Sequence, residues 1–281
     1  MLVTDAQIHL WEDERPDRPW PKDGRSTPHR PNGFTAEQML AEMDAAGVDR
    51  AVIVPPSWIG ETNAYALEAA EQYPDRFAVM GRFDSEDPAF LAQLPTWLDQ
   101  PHMLGIRITF NTPHFVAGLD EGIFEPLFAG CDRYRIPLMA LFSGPLLAKV
   151  APVAEKYPGM PLIMDHMGNL TREQGPAAFA YIDLLLALAK YPNVFVKTTS
   201  APSNSAESFP YRDIHGFLRQ MYDAFGPRRL MWGSDITRLK GTYEECLRLF
   251  KDELDFLSDE DKEWILGKSL ADVLKWPETP R

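Results

Sequence analysis

At 281 residues, 45% of them hydrophobic, the chain is long enough for a well-buried core and matches the usual size of one α/β barrel domain. Its formal net charge of −13 argues against nucleic-acid binding, which needs a basic surface to displace counterions. No apolar run approaches the roughly 18–20 residues of a membrane span, and no basic segment followed by an apolar one marks a secretory signal. Two isolated cysteines, Cys131 and Cys246, stand in no paired spacing, which fits a reduced cytoplasmic protein with no membrane partner.

Strand and helix patterns alternate along the chain. "VTDAQIHLW" (3–11) reads as a buried strand, followed by a long polar loop over 12–33 that contains Trp20, Lys22, Arg25, His29 and Arg30. "TAEQMLAEMDAAG" has Thr35 as N-cap, Gln38 three residues on and Gly47 as its stop, so a helix is expected there. "RAVIVPP", "RFAVMGRF", "MLGIRITF" and "PLMALF" read as strands two to five, each followed by a helical segment. "PLIMDH", "NVFVKTT" and "RLMWGSD" are strands six to eight. "TYEECLRLFKDEL" and a closing helix over 258–276 complete the series. Eight strand–helix units in one chain predict a single-domain (β/α)8 barrel over 1–281. A doubly wound sheet would usually carry a glycine-rich first turn, and none follows His9.

Chemistry in such a barrel sits at the C-terminal ends of the strands. Strand one ends in His9, with Gln7 on the same face because residues two apart share a face. Strand four carries Arg107, strand six ends in Asp165 and His166, strand seven carries Lys197, and strand eight ends in Asp235 with Arg238 just beyond. Each has a plainer reading: a hydrogen-bonded structural histidine, a lysine snorkelling to the rim, or an arginine paired with a core carboxylate. If His166 faces the barrel, strand alternation turns Asp165 toward the helices. The coincidence of His9, His166 and Asp235 at one end favours a shared site. Ser57 and Trp58 in "VPPSW" belong to the same mouth. The 12–33 loop suits a lid whose His29 touches an anionic substrate, or else a solvated loop.

"TDAQIHLW", "GVDRAVIVPPS", "GIRITF", "MDHMGN" and "LMWGSD" resemble the amidohydrolase-related branch of the amidohydrolase superfamily, with its pyrone-dicarboxylate hydrolases, sugar-lactone hydrolases and aminocarboxymuconate semialdehyde decarboxylase group. The resemblance runs from Val3 to about Trp276 and implies a (β/α)8 barrel. The family pattern has His-x-His after strand one, often a histidine at strand five, a histidine at strand six and an aspartate at strand eight. His9 matches the second histidine of the strand-one pair, His166 the strand-six histidine and Asp235 the strand-eight aspartate, whereas Gln7 replaces the first histidine and strand five is apolar. If a metal were present, His9, His166 and Asp235 would hold it, as a single zinc or other divalent ion. With the set broken twice, the resemblance points to a site without cofactor, as in the pyrone-dicarboxylate hydrolases.

The expected function is hydrolysis of a lactone or similar activated ester of a small anionic acid. Asp235 would be the general base, made more basic by burial. His9 and His166, one of them as imidazolium, would polarise the carbonyl. Arg107, Gln7, Trp58, Ser57, Lys197, Arg238 and His29 would bind substrate. The alternatives are a metal-dependent decarboxylase or isomerase, and a degenerate barrel that binds a ligand without turnover. A homodimer is the expected assembly.

Overall fold

The computed structural model describes residues 1–21, 27–169 and 173–276. Eight parallel strands form one sheet in sequence order: β1 (Thr4–Ile8), β2 (Arg50–Ile53), β3 (Phe77–Arg82), β4 (Met103–Thr109), β5 (Leu138–Leu141), β6 (Leu162–Met164), β7 (Val194–Lys197) and β8 (Leu230–Met231). These strands are buried along nearly their whole length. That is why they read as near-continuous apolar runs rather than alternating ones. The sheet curls until β8 meets β1, where Ala6 N–H donates to the Trp232 carbonyl (3.1 Å) and Asp235 N–H donates to the Gln7 carbonyl (3.0 Å). The expected (β/α)8 barrel is the observed fold.

Closure rests on local chemistry. Asp5 is fully buried and accepts from the backbone of Gln7 (3.0 Å), the backbone and hydroxyl of Ser234 (2.9 and 2.5 Å) and the Tyr243 hydroxyl (2.9 Å). Gly233 must lack a side chain because a Cβ there would lie 2.5 Å from Thr199 and 3.0 Å from Asp5 Oδ1. The "WGSD" segment is thus shaped to close the barrel.

The helices begin where capping predicts. Thr35 and Gln38 form a capping box at the start of the Ala36–Ala46 helix, and Gly47 ends it with φ of 76°. Other helical segments break up. The helical segment expected after strand three splits into Pro88–Leu91 and a 3₁₀ segment, Leu94–Asp99. Pro95, the second residue of the 3₁₀ segment, has no N–H to bond back to the Leu91 carbonyl, the bond that a continuous helix needs. The closing helix is helical from Asp259 to Leu274 through a π turn at Trp264–Lys268. A helix at Pro113–Glu121, started by the Thr112 side chain, had no counterpart among the expected elements. None of the described helices is long and apolar enough to cross a membrane.

Candidate active site

Strands six and eight stop earlier than their sequences suggest. β6 ends at Met164, and the chain then turns through His166 (φ 51°) and Met167 (φ 59°). After β8, Asp235 itself sits at φ 51°. These left-handed residues break the two-residue alternation that an extended strand imposes. As a result Asp165 and His166 both face the barrel interior, and the expectation that Asp165 turns toward the helices is corrected.

One cavity of about 220 Å³ opens at this end of the barrel. His9, His29, Ser57, Trp58, Arg107, His166, Asp235 and Arg238 all line it. Gln7 and Lys197 are fully buried beneath it and are not part of its wall. Lys197 does not snorkel to the rim: its Nζ lies 2.7 Å from Asp165 Oδ1, 2.5 Å from Gln7 Oε1 and 3.2 Å from Met139 sulfur. Arg107 pairs with the other oxygen of Asp165 at 3.0 Å and donates to the Thr109 hydroxyl. Two cations therefore flank one buried carboxylate. Burial alone would raise the pKa of Asp165, but Lys197 and Arg107 outweigh it and hold the carboxyl down at about 2.

The three residues expected to share a site do so. His9 Nε2 is 3.2 Å from Asp235 Oδ1, and His166 Nε2 is 4.0 Å from Asp235 Oδ2. His9 Nδ1 lies 2.6 Å from the Val54 carbonyl. A carbonyl only accepts, so that nitrogen carries a proton. His166 Nδ1 meets the Thr199 hydroxyl at 2.7 Å. Burial pushes the His166 pKa down to about 4, so this ring is neutral at pH 7 and does not serve as an imidazolium. Asp235 also departs from expectation. Burial raises its pKa, but the His9 hydrogen bond and charge, with the fields of His166 and Arg238, pull it below the usual carboxylate range. Asp235 is firmly ionised rather than made more basic.

The loop over 12–33 reaches the mouth through His29. Its Nδ1 meets the Thr237 hydroxyl at 2.8 Å, its Nε2 accepts from Arg238 Nε at 2.6 Å, and its ring packs on Trp58 at 4.5 Å. The loop is pinned at its base by paired backbone bonds between Trp11 and Phe34. Trp20 packs against the core and Arg30 stands over the Phe34 ring. Lys22 and Arg25 lie outside the described residues.

Sequence reasoning missed Thr109, Asn111 and Asn169, which also line the cavity. The signal for two of them was present: Arg107, Thr109 and Asn111 are spaced two apart and share one face. Asn111 Oδ1 accepts from Ser143 N–H at 3.2 Å, which fixes the amide, and its buried Nδ2 finds no acceptor among the described residues. Neither does the indole N–H of Trp58. A buried donor without an acceptor is costly, and both of these residues line the cavity.

A metal fits this arrangement poorly. An ion held by His9, His166 and Asp235 needs the two Nε2 lone pairs directed at it. Gln7 Nε2 stands 3.4 Å from His9 Nε2 and 3.3 Å from His166 Nε2, so an amide N–H₂ group faces the same lone pairs. The amide cannot turn its oxygen inward without abandoning Lys197.

A family model described as amidohydrolase matches residues 4–271. The chain belongs to that family. The match covers every strand and every residue of the cluster above. Among curated relatives of this family member, the L-fucono-1,5-lactonase of Burkholderia ambifaria is 25% identical over 85% of this chain and 82% of its own length. The 4-sulfomuconolactone hydrolase of Rhizobium radiobacter is 27% identical over 74% of this chain and 68% of its own. The crystal structure of an amidohydrolase from Burkholderia multivorans, with bound zinc, superposes over 99% of this chain and 100% of that one. Its TM-score is 0.83 at 22% identity, which shows a shared fold.

The buried titratable groups predict an unusual acid profile. As pH falls from about 6, Asp5, whose pKa burial raises from 3.8 to about 6, takes a proton in the folded state first and stabilises it. Over the same range His166, at about 4, and His29, which burial pushes down to about 3, both against 6.5 when unfolded, take their protons later in the folded state and destabilise it. Asp5 offsets only one of these two losses, so stability should decline moderately from pH 6.5 to 4. Below that, Asp165 and Asp235 protonate more readily in the unfolded chain, and stability should fall more steeply. Urea unfolding measured from pH 7 to 2.5 tests this; stability that stays flat or rises between pH 6.5 and 4 would refute it.

Proposed function

We propose that this hydrolase opens a lactone, or a similarly activated ester, that carries an anionic group, and does so without a metal. What carries the reading is the charge and donor arrangement around one acid–base cluster. In a chain of net charge −13, the site holds three cations (Lys197, Arg107, Arg238) against two carboxylates (Asp165, Asp235), one positive charge in excess. Among the described residues Arg238 has no carboxylate partner, and its guanidinium is exposed at the mouth. An anionic substrate fills that deficit, and the lactonase and lactone hydrolase names of the two relatives support the reaction class.

Asp235 takes a proton from the attacking water as general base. His9 Nε2, within hydrogen-bond distance of Asp235 Oδ1, can hold that proton until the leaving alkoxide needs it. The developing oxyanion is met by N–H donors, for which Arg107, Asn111 Nδ2 and the Trp58 indole are the candidates. An anionic substrate beside Arg238 neutralises one of the fields that hold Asp235 down, so binding restores basicity to the base. Lactones suit such a site because they are more electrophilic than amides.

The test is a matched panel of lactones with and without a carboxylate, followed by proton release. We expect kcat/KM at least 10-fold higher for the carboxylated member of each pair. Equal or reversed preference would remove the anionic substrate, and no hydrolysis of any member would remove the reaction class. A second expectation isolates Asn111. Asn111→Asp keeps the oxygen that accepts from Ser143 but removes the donor and adds a repelling charge. KM for the carboxylated lactone should rise about 10-fold or more, the range of a lost hydrogen bond to a charged group, with little change in melting temperature. An unchanged KM would place the substrate elsewhere in the cavity.

A further inference from the structure

We infer that Lys197 is a built-in cation that takes a metal ion's place: it orients the Gln7 amide, and through that amide it sets the proton position on His166 and keeps divalent metal out. The chain of contacts is short. Lys197 Nζ donates to Gln7 Oε1 at 2.5 Å, and an ammonium has only donors. The Gln7 amide oxygen therefore points down to Lys197, and its N–H₂ points up. Both ring nitrogens of the pair, His9 Nε2 and His166 Nε2, lie within 3.4 Å of that N–H₂. His166 Nε2, 4.0 Å from Asp235, offers the N–H₂ a lone pair, which places its ring proton on Nδ1; His9 Nε2 also faces Asp235 Oδ1, which only accepts, at 3.2 Å, so Gln7 does not decide its proton.

For His9 the Val54 carbonyl holds a proton on Nδ1 whatever Gln7 does. For His166 the Thr199 hydroxyl at Nδ1 can donate or accept, so Gln7, and behind it Lys197, decides. The positive charge is itself fixed from below, by Asp165 at 2.7 Å. Lys197 is fully buried and does not line the cavity. It acts through Gln7 and is a positioning residue.

Two consequences follow for metal. The N–H₂ group occupies the direction in which an ion would draw on both lone pairs. The buried ammonium also raises the electrostatic cost of a second cation nearby. Removing the ammonium frees Gln7 to turn its oxygen toward the imidazoles and lowers that cost. This inference deepens the metal-free part of the function proposed above but does not depend on the substrate, because its readouts need no lactone.

The experiment compares the wild-type protein with Lys197→Met and Gln7→Glu, each stripped with chelator. Zinc is titrated by equilibrium dialysis, and imidazole tautomers are read from long-range ¹H–¹⁵N spectra. Gln7→Glu keeps the contact to Lys197 but presents an oxygen where the N–H₂ stood, so it serves if Lys197→Met fails to fold. In the wild type we expect weak zinc binding and the Nδ1–H tautomer for His166. In either variant we expect zinc affinity to rise at least 10-fold and the His166 tautomer to change. A purely structural lysine would lower the melting temperature and move neither readout. Stoichiometric, tight zinc in the wild-type protein, or a folded variant with unchanged tautomer and zinc affinity, would overturn the proposal.

Discussion

Asp235→Asn should remove nearly all turnover while leaving the barrel folded. The substitution keeps the volume and the backbone bond from residue 235 to the Gln7 carbonyl. It removes the one carboxylate among the described residues that lines the cavity and, with it, the partner of His9 Nε2 at 3.2 Å. Loss of a general base costs on the order of 100- to 10,000-fold. We expect kcat to fall by at least 100-fold with circular dichroism close to wild type and a melting temperature lowered but still marking one cooperative transition. Activity within a few-fold of wild type would mean that water is activated by another group and that Asp235 only fixes the geometry of its turn. The swap also changes the proton balance at His9, so the residual activity should lose its acid limb.

Asp165→Ala should be among the most destabilising single changes in the molecule. The carboxylate is fully buried and holds Lys197 at 2.7 Å and Arg107 at 3.0 Å. Its removal leaves two cations side by side in the core, and breaking a buried pair costs about 3–5 kcal/mol. Lys197 can escape part of that cost by shedding its proton, since burial already pushes its pKa down. Urea unfolding of the variant is the measurement. A loss below about 1 kcal/mol would show that the cations repack at little cost. Asp165→Asn should fall between the two because an amide oxygen can still accept from one cation.

Much of the barrel was legible because buried parallel strands announce themselves as short apolar runs between capped helices. "RAVIVPP" and "PLMALF" needed nothing more. The helices were harder, since Pro95 within 87–100 breaks a pattern that periodicity alone carries through. At the site, His9, His166 and Asp235 were found because each stands at a strand end. The direction of Asp165 was misread because alternation was extended past Met164 into residues whose backbone is left-handed. No single-sequence pattern signals such a turn at a histidine. The role of Lys197 was out of reach for another reason. Its partners Gln7, Met139 and Asp165 come from β1, β5 and the end of β6, and only closure of the barrel brings them together. Asn111 was within reach and was overlooked, as its spacing from Arg107 shows.

The meeting of β8 with β1 has a mechanical meaning. β8 has two residues in its strand, so the cylinder is stitched there by a few isolated bonds and the Asp5 clamp rather than by a full ladder. One of those stitches runs from the backbone of Asp235 to that of Gln7. The seam of the cylinder therefore passes directly under the reacting groups. A transient parting along it would separate Asp235, the proposed base, from Gln7 while most of the wall stays intact. In this enzyme heat should silence catalysis at the seam before the fold as a whole lets go, and amide exchange at Asp235 should report it first.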